Sequence, residues 1–235
     1  MNSLQKLQEF LTDPMHKIGK VVDFNPATDT LLPFDFTANN TELTTEILAD
    51  TNLFSLWVDE KLAKNNAKYG IGGYNEHRTI YSRSVHFDTI EEPRRLHLGI
   101  DIWGPAETPI YNFYDAKVHS FHFNDNFGDY GATIILQYQL DDLILYALYG
   151  HLNLSSLADL QKGQCIAKGK QFANFGIAQE NGHWPPHLHF QLMFDMDNKK
   201  GDYPGVCQFS KRDEYLLNCP DPALILQRTF TSALP

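Results

Sequence analysis

The stretch from Ala132 to Tyr149 constrains the fold more than any other part of the chain. Ala132–Leu140 alternates or runs apolar, Asp141-Asp142 supplies a polar turn, and Leu143-Ile144-Leu145-Tyr146-Ala147-Leu148-Tyr149 returns as a second apolar run. Two β-type segments joined by two turn residues read as a hairpin. Lys117–Phe123 offers another strand upstream, with Gly128-Asp129-Tyr130-Gly131 as the turn between. Thr79–Ser82 and Ser84–Phe87 are further candidates, and the recurring glycines of Leu157–Gly176 suit short strands and tight turns. Strands spaced this closely pair antiparallel, because parallel neighbours need long crossovers. A compact, mainly β, antiparallel sheet follows.

Before residue 75 the pattern differs. Leu4, Leu7, Phe10 and Leu11 fall at helical spacing, with Asp13-Pro14 as the stop. Residues 21–40 read as extended loop. Thr41–Lys64 reads as helix broken near Asp50-Thr51-Asn52, with Thr51 or Asn52 as the new cap. Tyr69–Tyr74, rich in glycine, reads as a hinge. Asp221–Leu226 looks like a short helix with Pro222 at its first position. The expected organisation is a helical and loop extension over 1–75, a β-rich domain over 76–200 and a C-terminal extension over 201–235. The class is α+β overall.

The net charge of −10, with 19 Lys and Arg against 29 Asp and Glu, argues against nonspecific binding to nucleic acid or anionic membrane. Cys165, Cys207 and Cys219 form no C-x-x-C pair and are odd in number, which fits a reducing compartment better than a disulfide framework. Met1–Lys20 lacks the apolar run of a signal peptide, and no stretch approaches a membrane span of roughly 20 residues. The expected location is cytoplasmic, or periplasmic and cell-wall associated if a signal has been removed.

Chemistry gathers in two short strands. In Pro185-Pro186-His187-Leu188-His189-Phe190-Gln191-Leu192, alternation puts His187, His189 and Gln191 on one face and Leu188, Phe190 and Leu192 on the other. Two imidazoles whose Cα atoms lie roughly 6.5 Å apart suit a shared metal, or one ligand beside one acid/base group. In Leu96-His97-Leu98-Gly99-Ile100-Asp101-Ile102 the same rule aligns His97, Gly99 and Asp101. Gly99 leaves room for an ion. His97, Asp101 and His189 together make an imidazole–carboxylate–imidazole set with one position open, the arrangement of a catalytic zinc. No H-E-x-x-H is present to supply a glutamate base. His187, beside His189, and His151, at the end of an apolar strand, are the candidates for proton transfer.

His97-x-x-x-Asp101, Tyr149-Gly150-His151 and His187-Leu188-His189, with Pro105–Pro109, Tyr130-Gly131, Leu160-x-x-Gly163 and Gly169 between them, resemble the lysostaphin-type (LytM-like) zinc endopeptidases. The resemblance covers about residues 95–193. It implies one Zn2+ held by His97, Asp101 and His189, with His151 and His187 as catalytic residues. It also implies a mainly antiparallel β-sheet with a long groove, and a peptide or peptidoglycan substrate. The chain departs from the family in the loop Ala178–Pro186, where Glu180 and Trp184 stand at the expected groove edge.

Two further readings compete with hydrolysis. One is a metal-containing binding or regulatory module of the same fold; the other is a phosphocarrier using facing histidines, which Asp101 disfavours because a carboxylate repels phosphate. The other histidines carry blander expectations. His119 and His122 fall on opposite faces of a strand, His183 sits in a solvated loop, and His86 reads as a sheet residue. His16 and His77 carry no argument.

Overall fold

The computed structural model describes residues 1–89 and 91–230. The last five residues of the expected C-terminal extension therefore lie outside the described residues.

The chain opens with α1 (Ser3–Thr12), started by a capping box in which Asn2 and Gln5 satisfy each other's backbone N–H groups. Strand β1 (Leu31–Phe34) leads through α2 (Thr45–Ala49) and α3 (Thr51–Lys64) to β2 (Tyr69–Gly72). Next come β3 (Leu96–His97), β4 (Ile100–Trp103), β5 (Pro109–Tyr111), β6 (Ala116–Asn124), β7 (Gly131–Leu140) and β8 (Leu143–Leu152). The later strands are β9 (Cys165–Ile166), β10 (Gln171–Asn174), β11 (His187–Met193) and β12 (Val206–Cys207), followed by α4 (Arg212–Asn218) and α5 (Ala223–Phe230).

Eight strands make one sheet in the order β1-β2-β4-β11-β8-β7-β6-β9. The β7–β8 hairpin turns at Asp141, whose φ of +52° its short polar side chain tolerates. All its ladders are antiparallel except β1 beside β2. That parallel pair is possible because α2 and α3 supply the crossover. The remaining short strands pair as β10–β5 and β12–β3.

Alternation sorts the central strands. Ile100 and Ile102, Leu188, Phe190 and Leu192, Ala147 and Tyr149 share one core, closed by Leu7 and Phe10 of α1 and by Ile225, Leu226 and Phe230 of α5. Each buried Ile, Leu or Phe among them contributes about 1.5–3 kcal/mol. The opposite face of the same strands carries the polar set, flanked by a smaller core of Leu148, Met193, Tyr203 and Cys207. A third, aromatic cluster joins Phe34, Phe36 and Phe54 to Trp103 and Trp184, tying the N-terminal segment to the site.

Several local expectations are corrected. Tyr69–Gly72 is a strand, not a hinge: a Cβ at Gly70 would lie 2.4 Å from the Phe34 ring, so the glycine reflects a packed neighbour. Thr79–Ser82 and Ser84–Phe87 contain short 3-10 turns at Ile80–Arg83 and Val85–Phe87, the second capped by the Ser84 side chain. The α2–α3 break falls where expected, but Asp50 is the cap, accepting from the N–H groups of Asn52 and Leu53. The segment 96–102 is also not one strand, since β3 pairs with β12 and β4 joins the main sheet.

Candidate metal centre and proton-transfer pair

Antiparallel register sets the site. His189 pairs with Asp101 on β4 and with Gly150 on β8, while His187 pairs with Trp103. Directly paired residues share a face, so Asp101, His189, His187 and Trp103 all project to one side of the sheet. Gly99 is required there. A Cβ on it would stand 2.6 Å from the His189 ring and 2.9 Å from the Phe190 carbonyl.

His151 reaches this face by another route. Gly150 already occupies the groove-side position opposite His189, so a regular strand would send His151 into the core beside Tyr149. Instead His151 takes φ of +63°, and the β7–β8 register slips between Ala132 and Ile134. A β-bulge with a left-handed residue re-aims the side chain into the groove. A Cβ at Gly150 would meet the Tyr130 ring at 2.7 Å, so this corner is packed tightly.

The five singled-out residues come together, each at most 6% exposed. His97 Nε2 lies 3.0 Å from His189 Nδ1 and 3.3 Å from Asp101 Oδ1, and His189 Nδ1 lies 3.0 Å from the same oxygen. The protonation pattern follows from the outward partners. His97 Nδ1 faces the Gly73 carbonyl at 2.9 Å, which can only accept, so the proton is on Nδ1. His189 Nε2 faces Gln191 Oε1 at 2.9 Å, and the Gln191 amide N–H donates to the Pro204 carbonyl, which fixes the amide's orientation. His189 therefore carries its proton on Nε2.

Three acceptor atoms, two imidazole lone pairs and a carboxylate oxygen, thus converge with no proton among them. Such a cluster repels itself unless a cation sits inside it. A tetrahedral zinc with bonds of 2.0–2.1 Å would separate its ligands by roughly 3.3 Å, close to the spacings seen here. The donor set and its geometry fit the ion. Burial, reinforced by the Arg78 charge, lowers His97 to about 3 and keeps it neutral. Burial opposes the charge on Asp101, yet the Arg78 guanidinium against its other oxygen holds the carboxyl well below its usual range.

His151 and His187 form a second pair, with ring centroids 4.1 Å apart. Their Nδ1 atoms face the carbonyls of Asn181 at 2.7 Å and Pro185 at 2.8 Å, so both rings are protonated there and Nε2 is the basic nitrogen. Burial lowers His187 to about 4 and His151 well below its ordinary value. Trp103 stacks on His187 at 3.9 Å and 13°. Both histidines line a cavity of about 130 Å³ with Asp101, His189, Tyr81, Phe87, Trp103 and Trp184.

Trp184 is 3% exposed and forms cavity wall, whereas Glu180 does not line the cavity. His86 is not a sheet residue but lies on a 3-10 turn that borders the same cavity. His119 hydrogen-bonds Ser120 and packs on Tyr146, away from the site, and His183 is exposed against Phe127. Sequence reasoning passed over Trp103 and Arg78. For Trp103 a signal existed, since it continues the His97–Asp101 alternation by one more step on the groove face.

Residues 95–201 match the model of Peptidase family M23. The chain carries a peptidase M23 domain. No curated protein matches. Among solved structures, a zinc-containing peptidase from Vibrio cholerae shares 25% identity over 42% of this chain and 27% of its own, with a TM-score of 0.33. The chain thus spans about a quarter of that protein's length. The catalytic domain of the prophage-encoded M23 protein EnpA from Enterococcus faecalis shares 24% identity over 47% of this chain and 79% of its own, with a TM-score of 0.35. The catalytic domain of lysostaphin from Staphylococcus simulans shares 18% identity over 68% of this chain and 96% of its own, with a TM-score of 0.37.

Proposed function

We propose that this M23 protein is a zinc-dependent endopeptidase that hydrolyses a peptide bond of peptidoglycan, or of peptides derived from it, in the groove above β4, β11 and β8. His97 Nε2, Asp101 Oδ1 and His189 Nδ1 would hold the metal. The observation that carries this reading is the convergence of those three proton-free acceptors within 3.3 Å of one another.

A zinc ion bound there supplies Lewis acidity and lowers the pKa of its water towards neutrality. The protein supplies the rest. His151 and His187 each present an unprotonated Nε2, with the other nitrogen anchored to a backbone carbonyl. One ring would accept the proton of the attacking water on Nε2. That proton, held there or passed to the second ring 4.1 Å away, would then be donated to the oxyanion or to the leaving amine. Burial keeps both rings neutral before reaction, and makes a transiently protonated ring a strong acid towards the amine. Trp103, flat against His187, restricts that ring's rotation and offers its π face to a developing imidazolium.

Incubating the protein with purified peptidoglycan and with short Gly- and Ala-containing peptides tests the proposal. Cleavage that a chelator stops and added zinc restores is expected. Stoichiometric zinc without cleavage of any substrate would instead favour a metal-containing binding module.

A further inference from the structure

Arg78 lies outside the segment that matches the peptidase family, yet its side chain is fully buried beside the three converging ligands. Its Nη1 donates to Asp101 Oδ2 at 2.5 Å and to the Tyr81 hydroxyl at 3.3 Å. Nε donates to Glu76 Oε2 at 2.6 Å, and Nη2 to the Gly73 carbonyl at 3.3 Å. That carbonyl is the one that fixes the proton on His97 Nδ1. The Phe36 ring lies under the guanidinium, 5.1 Å away. A Cβ at Gly72 would reach within 2.7 Å of Nη2, so a glycine there leaves space for the fork.

The backbone around Arg78 is equally fixed. His97 N–H donates to the Glu76 carbonyl, Asn75 N–H to the His97 carbonyl and Arg78 N–H to the Arg95 carbonyl. The segment 75–78 is therefore zipped alongside the strand that bears His97. Two ligands on separate strands are held by one guanidinium and its carbonyl neighbour.

Building on the zinc reading, we propose that Arg78 is a positioning residue of the metal centre. It occupies the second oxygen of Asp101, which restricts the carboxylate to one-oxygen ligation through Oδ1. Through Gly73 it also keeps His97 in the tautomer that offers Nε2. Both tasks need the planar, multi-donor geometry of a guanidinium, which a lysine ammonium cannot reproduce. Partners that orient ligands in this way typically contribute 10–100-fold to metal affinity.

The test is zinc affinity by chelator competition, together with the visible spectrum of the cobalt-substituted protein, on wild type, Arg78→Lys and Gly72→Ala. Circular dichroism checks folding. Arg78→Lys keeps the charge and should bind zinc about 10–100-fold more weakly. Its cobalt bands should shift as the freed Asp101 oxygen joins the coordination sphere. Gly72→Ala retains every polar group and only crowds the end of the guanidinium and the edge of Phe36. It should weaken zinc in the same direction by a smaller factor, and it decides the matter if Arg78→Lys does not fold. Folded variants with wild-type zinc affinity and an unchanged cobalt spectrum would overturn the role of Arg78. A wild type that binds no zinc would overturn the zinc reading itself.

Discussion

The groove floor holds two pairs of histidines that look alike in sequence and differ in their surroundings. His97 and His189 turn lone pairs towards each other and towards Asp101 Oδ1, with their protons committed outward to Gly73 and Gln191. His151 and His187 lie ring against ring, anchored by backbone carbonyls and backed by Trp103. Where a carboxylate completes the cluster, the imidazoles suit a cation. Where an indole replaces it, they suit moving protons. The chemistry of each imidazole is set less by its own identity than by what fixes its outward nitrogen and what faces its inward one.

The contrast breaks most sharply at Asp101. Asp101→Ala should abolish stoichiometric zinc and peptide cleavage. It should also destabilise the fold by about 1–3 kcal/mol, because the buried Arg78 keeps Glu76 but loses the second of its two carboxylate partners. Zinc content and urea unfolding check both effects, and a variant that still binds zinc at wild-type affinity would erase the distinction between the pairs. Next in size is His151→Ala, which should keep its zinc while kcat falls roughly 10²–10⁴-fold, the range for loss of an acid/base group.

Gly99→Ala sharpens the metal half alone. Its methyl group pushes on the His189 ring, so chelator competition should show zinc held about 10-fold more weakly, on the scale of other disturbances to ligand orientation. Smallest is Trp103→Phe, which leaves the ligands in place and thins the stack on His187. A fall in kcat of about 3–10-fold with unchanged zinc affinity is expected, in line with a modest cation–π contribution. A change in zinc affinity instead would move Trp103 to the other half of the comparison.

Much of this arrangement was legible because β-alternation is a short-range rule. Leu188, Phe190 and Leu192 against His187, His189 and Gln191 can be sorted from eight residues, and so can Ile100 and Ile102 against Asp101. What was illegible depends on partners distant in sequence. The glycines at 70 and 72 weaken a strand pattern, and only the Phe34 ring and the Arg78 guanidinium across from them explain why. His151 belongs by parity to the core face, and the left-handed φ that turns it outward leaves no trace in a two-residue period. Arg78 sits amid unremarkable polar sequence, and its burial becomes visible only when the segment 75–78 is laid against β3. Thr79–Ser82 and Ser84–Phe87 read as strands from composition, whereas local capping by Ser84 and packing over the cavity favour tight turns.

Metal analysis of purified wild type, His97→Ala and His151→Ala side by side tests the division of the groove most directly. One equivalent of zinc in wild type, none in His97→Ala and one in His151→Ala is the expected result. A metal-free wild type, or loss of the metal in His151→Ala, would contradict it.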